Sequence, residues 1–342
     1  MFRYGVLGVS RFALRKMIPA MQRAAGVTVL AIASRDRGRA EEAARELGIP
    51  KAYGSYEELL EDPSVDGIYN PLPNHLHVPW SEQAAAAGKH VLCEKPIGCT
   101  AAEAARLIAA RDRHKVLIAE AAMVRVHPRW LAVRSLLREG RIGALRSFVG
   151  TFAYRLSDRS NVRYDRSMGG GVLLDTGYYP VTMSRFAFEA EPIRVTARME
   201  RDKETGVDLL TSAILEFPQG HAVFTCGMEL APGQSAQLYG TGGHLWLGNA
   251  WNPPGDRRSE LLVESSGELE RPTAEWLTFA PVDQYTILAE TFARAAERGG
   301  PGPVPLEDSL ANMAVLDALV RAAEGGGWAE PQRDGLLPPG SG

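Results

Sequence analysis

Cys93-Glu94-Lys95-Pro96 places a carboxylate, an ammonium and a rigid ring directly after the apolar run His90-Val91-Leu92-Cys93. In an open parallel sheet, ligands bind beyond the carboxyl ends of the strands, so a lysine there faces a cleft and can exchange a proton with a bound hydroxyl. Proline fixes its own φ and keeps the preceding residue out of the helical region, which restricts the backbone from which Lys95 projects. A second cluster lies in Met168-Gly169-Gly170-Gly171-Val172-Leu173-Leu174-Asp175-Thr176-Gly177-Tyr178-Tyr179-Pro180. Its successive glycines let the backbone come close to something, and Asp175 and Tyr179, four residues apart at the start of a helix, can share a face. A tyrosine near an ammonium has its phenolate stabilised, so Lys95 and Tyr179 together would make a proton-transfer pair. Each cluster also has a plain structural reading: a solvated Glu-Lys turn for the first, a glycine turn with a half-buried tyrosine for the second.

Two further segments bear on a coenzyme. Gly8-Val9-Ser10-Arg11-Phe12-Ala13 sits at the first strand-to-helix turn, where small residues let backbone amides and a helix N-terminus approach a pyrophosphate. Only the first glycine of the usual fingerprint is present, with Ser10 and Ala13 at the other two positions. At the end of the second strand a carboxylate would hold the ribose hydroxyls of NAD, whereas an arginine accommodates a 2′-phosphate. Ser34-Arg35 offers a hydroxyl and a guanidinium, with Asp36 one residue late, so NADP(H) is favoured over NAD(H). Ser34 as a helix cap is the structural alternative.

The elements that must position these residues follow in order. Tyr4–Val9 and Val27–Ala33 are apolar strands, each followed by a helical pattern, and the alternation continues through Val65–Tyr69, His90–Cys93 and Val116–Ala119. Such a run of strand-like segments alternating with helices suits a doubly wound parallel sheet. Beyond Ala121 alternating strands dominate, from Leu145–Leu156 to Leu261–Val263, which implies a mostly antiparallel open sheet and an α+β second domain. The expected division is residues 1–121, 122–324 and a flexible Gly/Pro-rich tail over 325–342.

Composition narrows the class. With 342 residues, 45% apolar residues and a net charge of −3, the chain reads as an ordinary globular protein of two domains, with neither nucleic acid nor a membrane as partner. Three cysteines are few for a disulfide-built fold. The opening Met-Phe-Arg-Tyr-Gly-Val-Leu-Gly enters a strand at once, without the marks of a secretion signal, so a cytoplasmic protein is expected. No CxxC, HExxH or zinc-finger spacing occurs, and no metal is expected.

Taken together, the Gly8 turn, Pro71-Leu72-Pro73-Asn74-His75, Glu94-Lys95-Pro96 and the Gly169-to-Tyr179 element resemble the Gfo/Idh/MocA family of NAD(P)-dependent oxidoreductases, in order and at similar spacing to about Ala323. Many members carry histidine where this chain has Tyr179; that residue, with Met123–Pro128, Asn161-Val162-Arg163 and Asp283-Gln284-Tyr285, is similar to the branch of glucose-fructose oxidoreductase, dimeric dihydrodiol dehydrogenase and xylose dehydrogenase. The resemblance implies an N-terminal Rossmann domain and coenzyme contacts from Gly8, Ser10, Arg11, Phe12, Ser34, Arg35, Pro71, Leu72, Asn74, His77, Glu94, Lys95 and Arg125. It implies Lys95 and Tyr179 as the catalytic pair, and Asp175 and Arg163 at the substrate. The expected substrate is a sugar or related cyclic alcohol, oxidised by hydride transfer to nicotinamide. A ketoreductase of nucleotide-linked deoxysugars, a non-catalytic nucleotide-binding regulator and a glycoside-cleaving redox enzyme are the alternatives. A homodimer or homotetramer is expected from the open sheet.

Overall fold

A computed structural model describes residues 1–265 and 273–332. The chain forms two units: residues 1–126 with 283–310, and residues 127–282 with 311–332. In the first, strands β1 (Phe2–Leu7), β2 (Val27–Ala33), β3 (Lys51–Tyr53), β4 (Gly67–Asn70), β5 (His90–Cys93) and β6 (Ile118–Glu120) lie in the order β3-β2-β1-β4-β5-β6. Every pairing is parallel. This is the expected doubly wound sheet, and its strand order reverses between β1 and β4, the place where such sheets open a crevice at their carboxyl ends. Helices cover both faces, so Val6, Leu7, Ile32, Ile68 and Leu92 are fully buried and the strands read as continuous apolar runs. The edge strand β3 is three residues long and lacks such a run, which is why periodicity passes over it.

The chain returns to the first unit after its second sheet. Helix Gln284–Arg298 packs on the first sheet rather than the second. Its apolar face buries Leu288, Ala289 and Phe292, and Phe292 packs against Phe2 and Tyr4 at centroid distances of 6.0 Å. Tyr4 Oη donates to Ala289 O at 3.1 Å. The first sheet thus takes a covering helix from late in the sequence, a pairing that local pattern does not encode.

The second unit is an eight-stranded sheet. Strands β7 (Leu145–Arg155), β8 (Arg194–Arg201), β9 (Asp208–Phe217), β10 (Gly220–Gly227), β11 (Glu229–Gly240), β12 (Gly243–Gly248), β13 (Ser259–Ser265) and β14 (Thr273–Phe279) lie in the order β14-β13-β12-β11-β7-β10-β9-β8. Only β7 with β10 is parallel. The β14 strand was not anticipated; it is largely exposed, so its sequence lacks the alternation of a half-buried strand. Helix Tyr178–Phe188, buried along its whole length, lies against the sheet at β7. On the opposite face the register aligns Ile214 with Val223, and Trp246 through Leu262 with Trp276. Ile214, Val223, Tyr239 and Trp276 are exposed there.

Residues 325–332 depart from the expected tail. Ala329 pairs with Val195 on β8, and Arg194 lies over the Trp328 ring at 4.6 Å. The tryptophan supplies enough contact to hold an otherwise Gly-rich end; residues 333–342 lie outside the described residues. Among the described residues no helix is long and apolar enough to cross a membrane.

Candidate active site

The coenzyme side is built at the carboxyl ends of β1, β2, β4 and β5. Gly8 has φ +79, and a Cβ there would meet Leu72 Cδ2 at 2.9 Å, so both conformation and space call for glycine. Ser10 caps the following helix, its Oγ accepting from Ala13 N–H at 3.2 Å. That explains how a serine serves at the second fingerprint position: it stabilises the helix N-terminus. Arg11 and Phe12 are exposed, with Phe12 edge-on to Tyr285 at 5.6 Å. The residues therefore fit a dinucleotide: a close-approach glycine, a serine-capped helix start and an exposed cation in succession.

At the end of β2 the cap is Asp36, not Ser34. Asp36 Oδ1 accepts from Arg39 N–H at 3.2 Å, while the buried Ser34 accepts from Asp36 N–H at 3.2 Å. Asp36 is thereby occupied as a helix cap, and the exposed Arg35 is the group presented at the end of β2.

Beyond β4, Pro71 and Leu72 are buried and Asn74 opens a short 3₁₀ turn. The sequence reading missed Asn70, fully buried, which holds this loop: its Oδ1 accepts from Leu72 N–H at 3.3 Å and its Nδ2 donates to His77 O at 3.0 Å. His77 itself is buried, with each ring nitrogen 2.7 Å from a backbone carbonyl oxygen. Its ring therefore ties the two loops. Arg125 likewise points within its own unit, pairing with Asp308 at 2.7 Å.

The Lys95 loop follows β5. Glu94 accepts from Tyr69 Oη at 2.7 Å and from Lys95 N–H at 3.3 Å. Burial pushes its carboxyl up to about 7, against the opposing pull of the Tyr69 hydrogen bond and the Lys95 charge. The next anchor is Glu120, buried at the end of β6: it accepts from Ile97 N–H at 2.7 Å and from Ser309 Oγ at 3.0 Å. Tyr69, Glu120 and Ser309 were invisible as site residues because each acts across strands.

In the second unit, the glycine run meets its own chain. Gly170 N–H donates to Asp165 O and Gly171 N–H to Arg163 O, both at 2.9 Å, and a Cβ on Gly170 would lie 2.6 Å from Arg163 O. The close approach that the glycines permit is backbone to backbone. Gly171 has φ +110, and Asp208 Oδ2 accepts from Leu173 N–H at 2.8 Å, fixing the start of the π-helical turn Leu173–Gly177 that leads into helix Tyr178–Phe188.

Arg163 grips Asp175 with two bonds, Nε to Oδ2 at 2.7 Å and Nη2 to Oδ1 at 3.1 Å. Tyr154 Oη, at the end of β7, adds a third at 2.7 Å. The Asp175 carboxylate raises the Arg163 guanidinium further, with burial opposing, and Tyr179 is close enough to add to that rise. Burial first, then Asp175, pushes the Tyr154 phenol up, so it stays a donor. Tyr179 is 4% exposed, packed against Phe152 at 5.3 Å and Trp251 at 6.2 Å. Arg163 and Asp175 thus come together, and Tyr154 is the member the sequence did not reveal.

A glycine turn after β1 of a sheet in this order, with a lysine beyond β5 and a tyrosine at a helix start in an antiparallel domain, defines a Rossmann-type oxidoreductase class. Residues 2–121 match the NAD-binding Rossmann-fold domain of an oxidoreductase family and residues 130–246 the GFO/IDH/MocA C-terminal domain. The chain belongs to the Gfo/Idh/MocA oxidoreductase family. It is 43% identical to an uncharacterized oxidoreductase of Rhizobium meliloti, covering 95% of this chain and 98% of the relative. It is 37% identical to D-xylose 1-dehydrogenase (NADP(+)) 2 of Haloferax volcanii, over 96% of this chain and 99% of that one. The structure of KijD10, a 3-ketoreductase from Actinomadura kijaniata in complex with NADP and TDP-benzene, superposes with a TM-score of 0.88 at 32% identity, covering 94% and 97% of the two chains.

Proposed function

We propose that this protein is an NADP(H)-dependent oxidoreductase that moves a hydride between nicotinamide and a secondary hydroxyl of a sugar or related cyclic alcohol, with Lys95 and Tyr179 handling the proton. The observation that carries the reading is Tyr179: a buried phenol at the start of the helix that follows Asp175, whose carboxylate Arg163 and Tyr154 hold in place. A phenol held at a fixed place can take a proton from a substrate hydroxyl and return it. NADP(H), when bound, supplies or accepts the hydride. In oxidation the Tyr179 Oη takes the substrate hydroxyl proton; in reduction it returns it. Lys95 orients the same oxygen and favours its alkoxide character. Asp175 and Arg163 fix the pocket floor on which the sugar lies. The likeness to a xylose dehydrogenase using NADP(+) supports both coenzyme and substrate class, and the exposed Arg35 at the end of β2 supports the coenzyme.

A ketoreductase acting on a nucleotide-linked deoxysugar is the second reading, supported by the likeness to KijD10 over nearly the whole chain. A panel of aldoses, cyclic diols and a dTDP-ketosugar followed by NADPH absorbance in both directions separates the two. Lys95→Ala and Tyr179→Phe are each expected to lower kcat by about 10²–10⁴-fold on the substrate that turns over, and retention of most of kcat by either variant refutes the pair. Arg35→Ser is expected to shift the kcat/KM ratio from NADP toward NAD by at least tenfold, about 1.4 kcal/mol; an unchanged ratio refutes the role of Arg35. The apolar outer face of the second sheet supports assembly as a homodimer or homotetramer, and sedimentation as a monomer at micromolar concentration refutes it.

A further inference from the structure

His77 opens helix His77–Ala86 and stands between two loops that follow adjacent strands. Its Nδ1 lies 2.7 Å from Pro96 O, one residue after Lys95, and its Nε2 lies 2.7 Å from Leu72 O, in the loop beside Gly8. Both partners are carbonyl oxygens and can only accept. A neutral imidazole carries one N–H and so donates to one of them at a time; only an imidazolium donates to both. Burial pushes the ring down to about 4, and the neighbouring Lys95 and His75 add to that fall. The ring at neutral pH therefore has a single proton and two competing acceptors, one in each loop.

The surroundings make this choice consequential. Helix Asn74–Leu76 and the Leu72 loop are tied back by Asn70, and the Lys95 loop is tied at Ile97 by Glu120. The ring of His77 is the direct side-chain bridge from one carbonyl to the other. We infer that His77 is a positioning residue that couples the coenzyme-side loop to the Lys95 loop: Nδ1–H to Pro96 O sets the lysine, Nε2–H to Leu72 O sets the wall of the coenzyme crevice.

This inference rests on the proposed coenzyme and on the role of Lys95. Asparagine places its amide nitrogen where Nδ1 sits and glutamine places it where Nε2 sits, so the two variants separate the two bonds. His77→Asn is expected to keep kcat within about threefold of wild type while weakening the NADP(H) Kd at least tenfold. His77→Gln is expected to do the reverse, keeping Kd within about threefold and losing at least tenfold in kcat. Equal losses in both variants, the opposite pattern, or a lowered Tm with both parameters intact overturns the inference. If neither variant folds, the wild-type protein decides: Leu76-His77 is the sole Leu-His pair in the sequence, so paired carbonyl-¹³C leucine and ¹⁵N histidine labelling assigns the residue. Its ring signals are expected to change on adding NADP(H), and a ring indifferent to a coenzyme that binds overturns the inference. A wild-type protein that binds NADP(H) yet turns over no sugar or nucleotide sugar overturns the proposed function, while Kd and the ring signals still test the coupling.

Discussion

Glu94 offers the most direct test of how the Lys95 loop is balanced. Its carboxyl lies between the Tyr69 phenol and the Lys95 amide, and burial raises it from 4.5 to about 7. Between those values the folded protein holds a proton that the unfolded chain has released. The stabilisation is therefore fully present below about pH 4.5 and is lost as pH rises through about 7. At 1.36 kcal/mol per pH unit, the interval from 4.5 to about 7 sets an upper bound of about 3 kcal/mol. Glu94→Gln removes the titration but keeps an acceptor for Tyr69; its amide faces the Lys95 N–H, which adds a penalty independent of pH. The informative quantity is accordingly the slope of the difference. Thermal or urea melts of both proteins without coenzyme, at half-unit steps from pH 5 to 8, are expected to show the wild type losing up to about 3 kcal/mol relative to the variant, roughly 6–12 °C in the Tm of a unit of this size. Difference curves flat to about 0.5 kcal/mol over that range refute the buried, proton-holding carboxyl.

Two predictions concern the second unit. Gly171→Ala puts a Cβ 2.1 Å from Asp208 Oδ1 at a φ of +110, so it displaces the carboxylate that holds Leu173 N–H; a stability loss of about 3 kcal/mol or more in urea melts is expected, and a loss under 1 kcal/mol counts against this packing. Tyr154→Phe deletes a hydrogen bond to Asp175 and is expected to cost about 1.5–3 kcal/mol of stability, the range for a hydrogen bond to a charged acceptor, with unchanged melts showing the phenol idle.

What the sequence made legible was what neighbours in sequence decide. The Gly8 turn, the strand-end positions of Lys95 and Arg35, and the helix carrying Asp175 and Tyr179 all follow from local rules of strand, turn and cap. The two-unit architecture was legible as a change of rhythm near Ala121. Illegible were the contacts that join distant segments. Helix Gln284–Arg298 has the amphipathic pattern of a helix for either sheet, and only the fit of Phe292 to Phe2 and Tyr4 assigns it to the first. Tyr154 reads as one more alternating residue of a strand until it is seen 2.7 Å from Asp175. The glycine run suggested a ligand close to the backbone, and its closest neighbours are Arg163 O, Asp165 O and Asp208 Oδ1.

The two units share a device. In the first unit Glu120 reaches from β6 to the N–H of Ile97, two residues beyond Lys95. In the second, Asp208 reaches from β9 to the N–H of Leu173, six residues before Tyr179. Each carboxylate is buried and also accepts a hydroxyl, from Ser309 and from Thr211. A buried carboxylate with an unfilled acceptor site is costly, so each holds its peptide at a fixed place and resists drift of the loop or helix start it serves. Such anchors act on backbone amides, which every residue but proline possesses, and so leave no mark on the sequence of the segment they hold. On the proposed roles of Lys95 and Tyr179, their rigid presentation depends on these two anchors, and neutralising either is expected to lower kcat more than it raises KM, as steady-state kinetics would show.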